Sequence, residues 1–248
     1  MKSVINILEE YGYHSYLFDE IESTSRFLIN TIRKQNTGKV FCLANNQTSG
    51  YGQRGRSWLS DRSSLTFSFG VPLVCEPDEL FGRGLALALA VRKVLSCYHD
   101  ESLMVKWPND VYSSKGKISG ILTEVIKSSN SQPFVVIGIG INVFSSPVVF
   151  EANSDCVFDL TLEAVLEGVL PVVERLYSLN LLDAEATLKE WSLKDYFKIG
   201  DRIVVESGKS RSLGVYMGLS GNFMPLIKEE NGMMEYRFGN VSLKRVIG

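Results

Sequence analysis

A chain of 248 residues, 45% of them apolar, can bury one large core or a medium core with a small satellite. The charged share is 22%, with 26 Lys and Arg against 28 Asp and Glu, which excludes collagen-like, disordered and polybasic classes and makes any cationic site a local one. Four scattered cysteines without CxxC spacing and two isolated histidines, His14 and His99, leave little material for a structural zinc or a Ser-His-Asp triad, so no protein metal site is expected.

The N-terminus shows no signal-peptide pattern, and the longest apolar run, Phe134 to Phe144, is too short to span a bilayer. Cytoplasmic placement without a membrane partner is the expectation, and scattered thiols suit it. Phe18 to Ile21 reads as a short strand, Ser23 to Arg33 as a helix capped by its Ser/Thr cluster, and Val40 to Leu43 as a second strand. Asn45 to Ser64 is polar, rich in Gly and Arg, and aperiodic; a connection of that length is functional or disordered. Leu65, Phe67, Phe69 and Val71 alternate with small or polar residues, the mark of a half-buried strand. Asp78 is expected to cap a helix over Glu79 to Tyr98, and His99 just beyond it is expected to face solvent.

Gly120 to Lys127 and Gln132 to Val143 should pair as a hairpin through the SerSerAsnSer turn. Helices over Leu160 to Leu179 and Ala184 to Trp191 precede a change of texture near Leu193. From Gly200 onward, short apolar runs are separated by Gly, Ser and Asn, which describes an all-β module of about 50 residues, too small to stand without packing on its neighbour. The body mixes strands and helices without strict βαβ alternation, so the class expected is α+β, with domains at 1–193 and 194–248.

Four segments carry candidate chemistry. Gly50-Tyr51-Gly52-Gln53-Arg54-Gly55-Arg56-Ser57-Trp58 combines glycines that let backbone N–H groups approach an anion with arginines that offer forked donors; a solvated surface loop is the alternative. In Val105-Lys106-Trp107-Pro108-Asn109-Asp110, Lys106 points away from the face of Val105 and Trp107, and Lys117 opens Lys117-Ile118-Ser119-Gly120-Ile121-Leu122; each lysine alone reads ordinarily as exposed. Val135, Ile137, Ile139 and Ile141 form one face of a strand whose other face carries Val136, Gly138, Gly140 and Asn142. Bare glycines leave room for a close-packed helix or for a small ligand, and Asn142 offers the latter a donor and an acceptor.

These segments together resemble the bacterial-type biotin-protein ligases. The matching pieces are Glu22-Ser23-Thr24-Ser25, Gln47 with the loop through Trp58 and Ser60, Lys106 to Asp110, Lys117 to Leu122 with Glu124, and Gly138 to Asn142, and the tail from Trp191 resembles a small SH3-like domain. The resemblance implies a catalytic domain of mixed sheet and helices, akin to class II aminoacyl-tRNA synthetases, followed by an SH3-like β-barrel. It implies a two-step reaction: the biotin carboxylate attacks the α-phosphate of ATP, with Mg²⁺ helping, and a lysine of a biotin carboxyl carrier domain then takes the biotinyl group.

By the same resemblance Lys117, Lys106, Arg54 and Arg56 are the catalytic cations, with Lys117 between carboxylate and phosphate. Ser23, Thr24, Ser25, Gln47, Gly50, Tyr51, Gly52, Gln53, Trp58, Lys117, Gly120, Gly138, Gly140 and Asn142 fall on biotin-binding positions, and Arg54, Arg56, Lys106, Asn109, Lys117 and Asn142 on adenylate-binding ones. Ser25 replaces a usual asparagine, and Tyr51 and Gln53 stand where many members carry arginine, which removes two cations from the phosphate loop. Glu22-Ser23-Thr24 comes too early for a preceding helix-turn-helix, so specific nucleic-acid binding is not expected; a homodimer is compatible with the resemblance. A lipoate-protein ligase and a non-catalytic biotin-binding regulatory module are the competing readings, the Lys-Trp-Pro-Asn-Asp segment with the Arg-Gly-Arg-x-Trp loop favouring biotin.

Overall fold

The computed structural model describes residues 2–35, 38–60, 62–76, 79–144, 154–208, 210–237 and 241–246. Strands β1 (Tyr13–Ile21), β2 (Lys39–Gln47), β3 (Ser64–Pro72), β4 (Met104–Lys106), β5 (Asp110–Tyr112), β6 (Lys117–Lys127) and β7 (Pro133–Asn142) form a sheet in the order β1-β2-β3-β7-β6-β5-β4. β1 and β2 run parallel, and each other neighbouring pair is antiparallel. The β6–β7 hairpin is as expected, except that β6 starts at Lys117 rather than Gly120.

Period-two alternation gives the sheet two unlike faces. Phe67 and Phe69 of β3 and Val135, Ile137, Ile139 and Ile141 of β7 enter the larger core with residues of α3 (Leu80–Leu95) and α4 (Leu162–Val173). On the opposite face Val40, Cys42 and Val136 meet Leu28, Ile29 and Ile32 of α2 (Thr24–Lys34). Those α2 positions recur at helical spacing, and Ser23 caps the helix from an extended conformation, its hydroxyl accepting from the Arg26 N–H. The sheet is therefore covered on both sides, with the α2 face the more polar toward the helix N-terminus.

Several boundaries differ from the sequence reading. An unanticipated helix, α1 (Lys2–Glu10), buries Val4 and Leu8, one helical turn apart, in the larger core. β1 begins at Tyr13 rather than Phe18, and Asn45 to Gln47 continue β2 instead of opening the loop. The helix expected over Leu160 to Leu179 divides into α4 and a π-helical turn at Glu174–Ser178, after which the Leu179 N–H bonds to the Glu174 carbonyl. The Asp78 cap lies outside the described residues. No described helix is long and apolar enough to cross a membrane.

After α5 (Ala184–Lys194), β8 (Arg202–Ser207), β9 (Ser210–Leu219), β10 (Pro225–Glu229), β11 (Gly232–Glu235) and β12 (Val241–Arg245) make an antiparallel sheet in the order β11-β10-β9-β8-β12. Ile203, Val205, Tyr216, Phe223, Ile227, Val241 and Leu243 join the same apolar cluster as the body. Trp107 Nε1 donates to the Phe223 carbonyl at 3.1 Å, so the docking has a polar contact within its apolar seam. A small sheet gains here the burial it cannot supply alone.

Asp195 is the acid at this seam. Its Oδ2 accepts from the Tyr216 hydroxyl at 2.6 Å and its Oδ1 from the Phe197 N–H at 3.0 Å, yet burial outweighs both and raises its pKa from 3.8 to about 6. The folded state thus holds this proton more tightly than the unfolded state. The stabilisation is complete below the unfolded value and is lost as pH rises through the folded one, about 3 kcal/mol in all. Denaturant titrations near pH 4 and near pH 7.5 should show the stability of Asp195→Asn relative to wild type improving by about 2 kcal/mol at the higher pH, the remainder being lost already by pH 4. An unchanged gap between the two proteins would refute the assignment.

Candidate active site

The first turn of α2 and the end of β2 build a recess of small hydroxyls. Gln47 Oε1 accepts from the Thr24 N–H at 2.8 Å and from Thr24 Oγ1 at 3.2 Å. Ser68 Oγ on β3 lies 2.8 Å from Thr24 Oγ1 and 3.0 Å from Ser25 Oγ. The register sets Ser68 opposite Gly138 and Thr66 opposite Gly140. A Cβ at Gly138 would stand 2.5 Å from Ser25 Oγ, so this glycine is what admits the hydroxyl cluster to the sheet. Of the two sequence readings of the bare strand face, the packed helix is found: the start of α2 lies there, with a polar recess beside it.

The loop after β2 is folded back on itself. The Gly52 N–H bonds to the Arg56 carbonyl at 2.7 Å and the Trp58 N–H to the Gly50 carbonyl at 3.0 Å, closing a short hairpin around a 3₁₀ turn at Gln53–Gly55. Ser60 Oγ accepts from the Gln47 N–H at 2.9 Å and fixes the return. Gly50 does not line the cavity, contrary to expectation; it lies where the two limbs meet, and a Cβ there would come within 2.6 Å of the Trp58 carbonyl oxygen. Tyr51 lines the cavity and also makes a contact that the sequence did not indicate. Its hydroxyl donates to Glu124 Oε2 at 2.7 Å, and the Arg26 guanidinium stands 5.4 Å from its ring, so it straps the loop to β6. Burial and Glu124 together push the Tyr51 pKa upward and keep the proton on.

Trp58 lies on the glycine strand, with indole atoms 2.4 Å from where a Gly140 Cβ would stand, and its buried Nε1 has no partner. Gly120, paired with Gly140 across β6 and β7, leaves room for Lys117, whose Nζ would be 2.8 Å from a Cβ there. Lys117 Nζ is 2.8 Å from Asp110 Oδ1 and 5.4 Å from the Trp58 ring.

The Lys117 backbone is fixed from below. Its carbonyl accepts from Asn142 Nδ2 at 3.1 Å and from the Asp155 N–H at 3.0 Å, and Asn142 Nδ2 also donates to the Asp155 carbonyl at 3.1 Å. With its amide donors engaged, Asn142 supports Lys117 and cannot spare a donor for a ligand. Asn109 Nδ2 bonds to the Ile121 carbonyl and ties the turn after β4 to β6. His99, expected to face solvent, turns its side chain inward: Nε2 meets Asp155 Oδ2 at 3.0 Å, Nδ1 accepts from the Glu101 N–H at 3.0 Å, and the side chain is 6% exposed. Ser113 Oγ donates to the same carboxylate, which thereby anchors the turn before Lys117.

The hydroxyl recess and the cations open into one cavity of about 610 Å³. Its lining includes Ser23, Thr24, Ser25, Gln47, Tyr51, Gly52, Gln53, Arg54, Arg56, Trp58, Lys106, Asn109, Lys117, Gly120, Gly138, Gly140 and Asn142. Lys106 is no ordinary exposed lysine: burial lowers its pKa, Asp110 opposes, and Lys117, Arg56 and Lys244 repel its charge. Tyr112 and, from the C-terminal sheet, Glu206, Ser242 and Lys244 also line the cavity. No spacing rule marked those last three, because they reach the site only through docking of the second sheet. Arg54 adopts a left-handed φ of 61° at the loop tip, facing the Glu206 charge.

A mixed sheet carrying a neutral polar recess and a cationic end in one cavity defines a class of α+β ligand-binding proteins. The chain belongs to the biotin/lipoate A/B protein ligase family, whose sequence model matches residues 17–142, just over half the chain. It is 33% identical over 183 residues to a biotin–[acetyl-CoA-carboxylase] ligase of Mycobacterium tuberculosis, a match covering 67% of this chain and 64% of that protein. It is 26% identical over 233 residues to the bifunctional ligase/repressor BirA of Escherichia coli, covering 90% of this chain and 72% of BirA. The structure superposes with a TM-score of 0.76 on a biotin protein ligase from Aquifex aeolicus in complex with biotin and ATP, at 27% identity and over 94% of this chain and 99% of that one.

Proposed function

We propose that this chain is an ATP-dependent biotin ligase that forms biotinyl-5′-AMP and passes the biotinyl group to a lysine of a biotin carboxyl carrier domain. The observation that carries the reading is that one cavity is lined both by an uncharged hydroxyl recess and by a cation cluster, with Lys117 lying over Gly120 within it. A ureido head group needs neutral donors and acceptors, which Ser23, Thr24, Ser25 and Gln47 supply; a triphosphate needs cations, which Lys106, Lys117, Arg54 and Arg56 supply. The M. tuberculosis and A. aeolicus relatives support biotin over lipoate.

In the first step a biotin carboxylate oxygen bonds to the α-phosphorus, and the bond from that phosphorus to the bridging oxygen breaks, releasing pyrophosphate. Negative charge grows on oxygens beside Lys117, whose ammonium stabilises it. In the second step the carrier lysine amine, having lost a proton, attacks the acyl carbon and AMP departs. Magnesium would enter as the ion of MgATP and would supply positive charge to the phosphates. Among the described residues no cluster of three or more His, Cys, Asp or Glu could hold a metal by itself, and Asp110 and Glu206, the acids that line the cavity, would be the carboxylates available to the ion. Residues 1–193 form the catalytic domain in this reading and 194–248 the accessory β domain.

Incubation with biotin, ATP-Mg and a purified carrier domain should add one biotinyl mass to the carrier and release pyrophosphate. Lipoate in place of biotin should do neither. Labelling with lipoate instead would transfer the assignment to the other branch of the family, and biotin binding without pyrophosphate would make the chain a non-catalytic module.

A further inference from the structure

Lys106 and Lys117 both line the cavity, and they are held in different ways. Lys117 pairs with a carboxylate at 2.8 Å. Lys106 makes no ion pair among the described residues; its Nζ lies 4.7 Å from the Tyr112 ring centroid, 5.1 Å from Tyr196 and 5.8 Å from Phe197. The difference matters for an incoming polyanion. A carboxylate cancels most of the field of its lysine, whereas aromatic faces orient an ammonium and leave its net charge intact.

Tyr112 belongs to β5, but Tyr196 and Phe197 belong to the segment that joins α5 to the C-terminal sheet. The Tyr196 N–H donates to the carbonyl of Val105, next to Lys106, at 2.8 Å. Its own carbonyl accepts from Arg245 Nη2 on β12 at 2.7 Å, and the Arg245 guanidinium stands 5.0 Å from its ring. Arg245 is in turn fixed by Asp201, Nε to Oδ2 at 2.9 Å. The second sheet therefore grips Tyr196, and Tyr196 presents its ring to Lys106.

We propose that Tyr196, gripped by Arg245, is a positioning residue for Lys106 that holds the ammonium ready for the ATP phosphates. The inference rests on the ligase reading above. If the rings merely cover the lysine stem, their removal disturbs the whole site; if they aim the ammonium, the loss falls on ATP alone.

Biotin-dependent pyrophosphate release by the full chain separates these outcomes. Tyr196→Leu should raise KM for ATP about three- to thirtyfold while KM for biotin stays within about twofold. Tyr196→Phe, which keeps the ring, should restore KM for ATP, because the hydroxyl makes no hydrogen bond among the described residues. Lys106→Met should raise KM for ATP by itself, and adding Tyr196→Leu to it should cost nothing more. Equal losses for both substrates, additive losses in the double variant, or failure of Tyr196→Phe to restore would overturn the proposal. Should Tyr196→Leu not fold, Arg245→Met releases the ring from the partly exposed side and must give a smaller rise in KM for ATP that vanishes in the Lys106→Met background; a rise that persists there overturns it. Absence of biotin-dependent pyrophosphate from the wild-type protein would instead strike the ligase reading.

Discussion

Lys117→Gln should lower biotin-dependent pyrophosphate release by about two to three orders of magnitude while leaving the fold intact. The side chain lies over Gly120 and 5.4 Å from the Trp58 ring, in the cavity that also holds the hydroxyl recess and the other cations, where charge develops when carboxylate meets phosphate. Loss of one well-placed donor to such charge typically costs about that factor. Stability should change little. The Lys117–Asp110 pair is partly solvent-exposed on both sides, so its removal costs about 1 kcal/mol or less, and a Gln amide can still donate toward Asp110. The backbone anchors from Asn142 and Asp155 do not involve the lost ammonium. Single-turnover measurements with saturating biotin and ATP, beside a thermal melt, check both halves. Near-wild-type adenylation in a folded Lys117→Gln protein would remove Lys117 from the chemistry.

What the sequence revealed and what it hid follow a physical division. The glycine face of β7 was legible because strand alternation is strictly local: Ile137, Ile139 and Ile141 go to the core, so Gly138 and Gly140 must face the other way. The position of Lys106 opposite Val105 and Trp107 was legible for the same reason, but its aromatic setting was not, since Tyr196 arrives from 90 residues further along the chain. The order of the Gly/Arg loop depends on partners outside it, Glu124 for Tyr51 and Gln47 for Ser60, and no local pattern encodes them. The inward turn of His99 was not legible because Asp155, its partner, is 56 positions distant. Helix α1 carries only one buried apolar pair, Val4 and Leu8, too short a pattern for periodicity to mark.

Gly138→Leu should abolish measurable biotin binding, and a companion pair of variants can show whether lost space or lost packing is the cause. A Cβ at this position would already stand 2.5 Å from Ser25 Oγ and 3.5 Å from Ser68 Oγ, so a leucine must break the bonds that join Ser25, Ser68 and Thr24. Overpacking of this kind costs about 1 to 3 kcal/mol, or about 2 to 12 °C in thermal midpoint for a chain of this size, and the side chain would fill the recess as well. Gly138→Ala isolates the two effects, because its single methyl meets mainly Ser25. In a Ser25→Gly background that clash is relieved, and the stability lost on Gly138→Ala should return. Biotin affinity, measured by isothermal titration on folded protein, should stay depressed in the same double variant, because the methyl still occupies the recess and the Ser25 hydroxyl is gone. If affinity returns together with stability, the glycine serves the packing of α2 on the sheet; if Gly138→Leu folds and binds biotin as the wild type does, the head group lies elsewhere in the cavity.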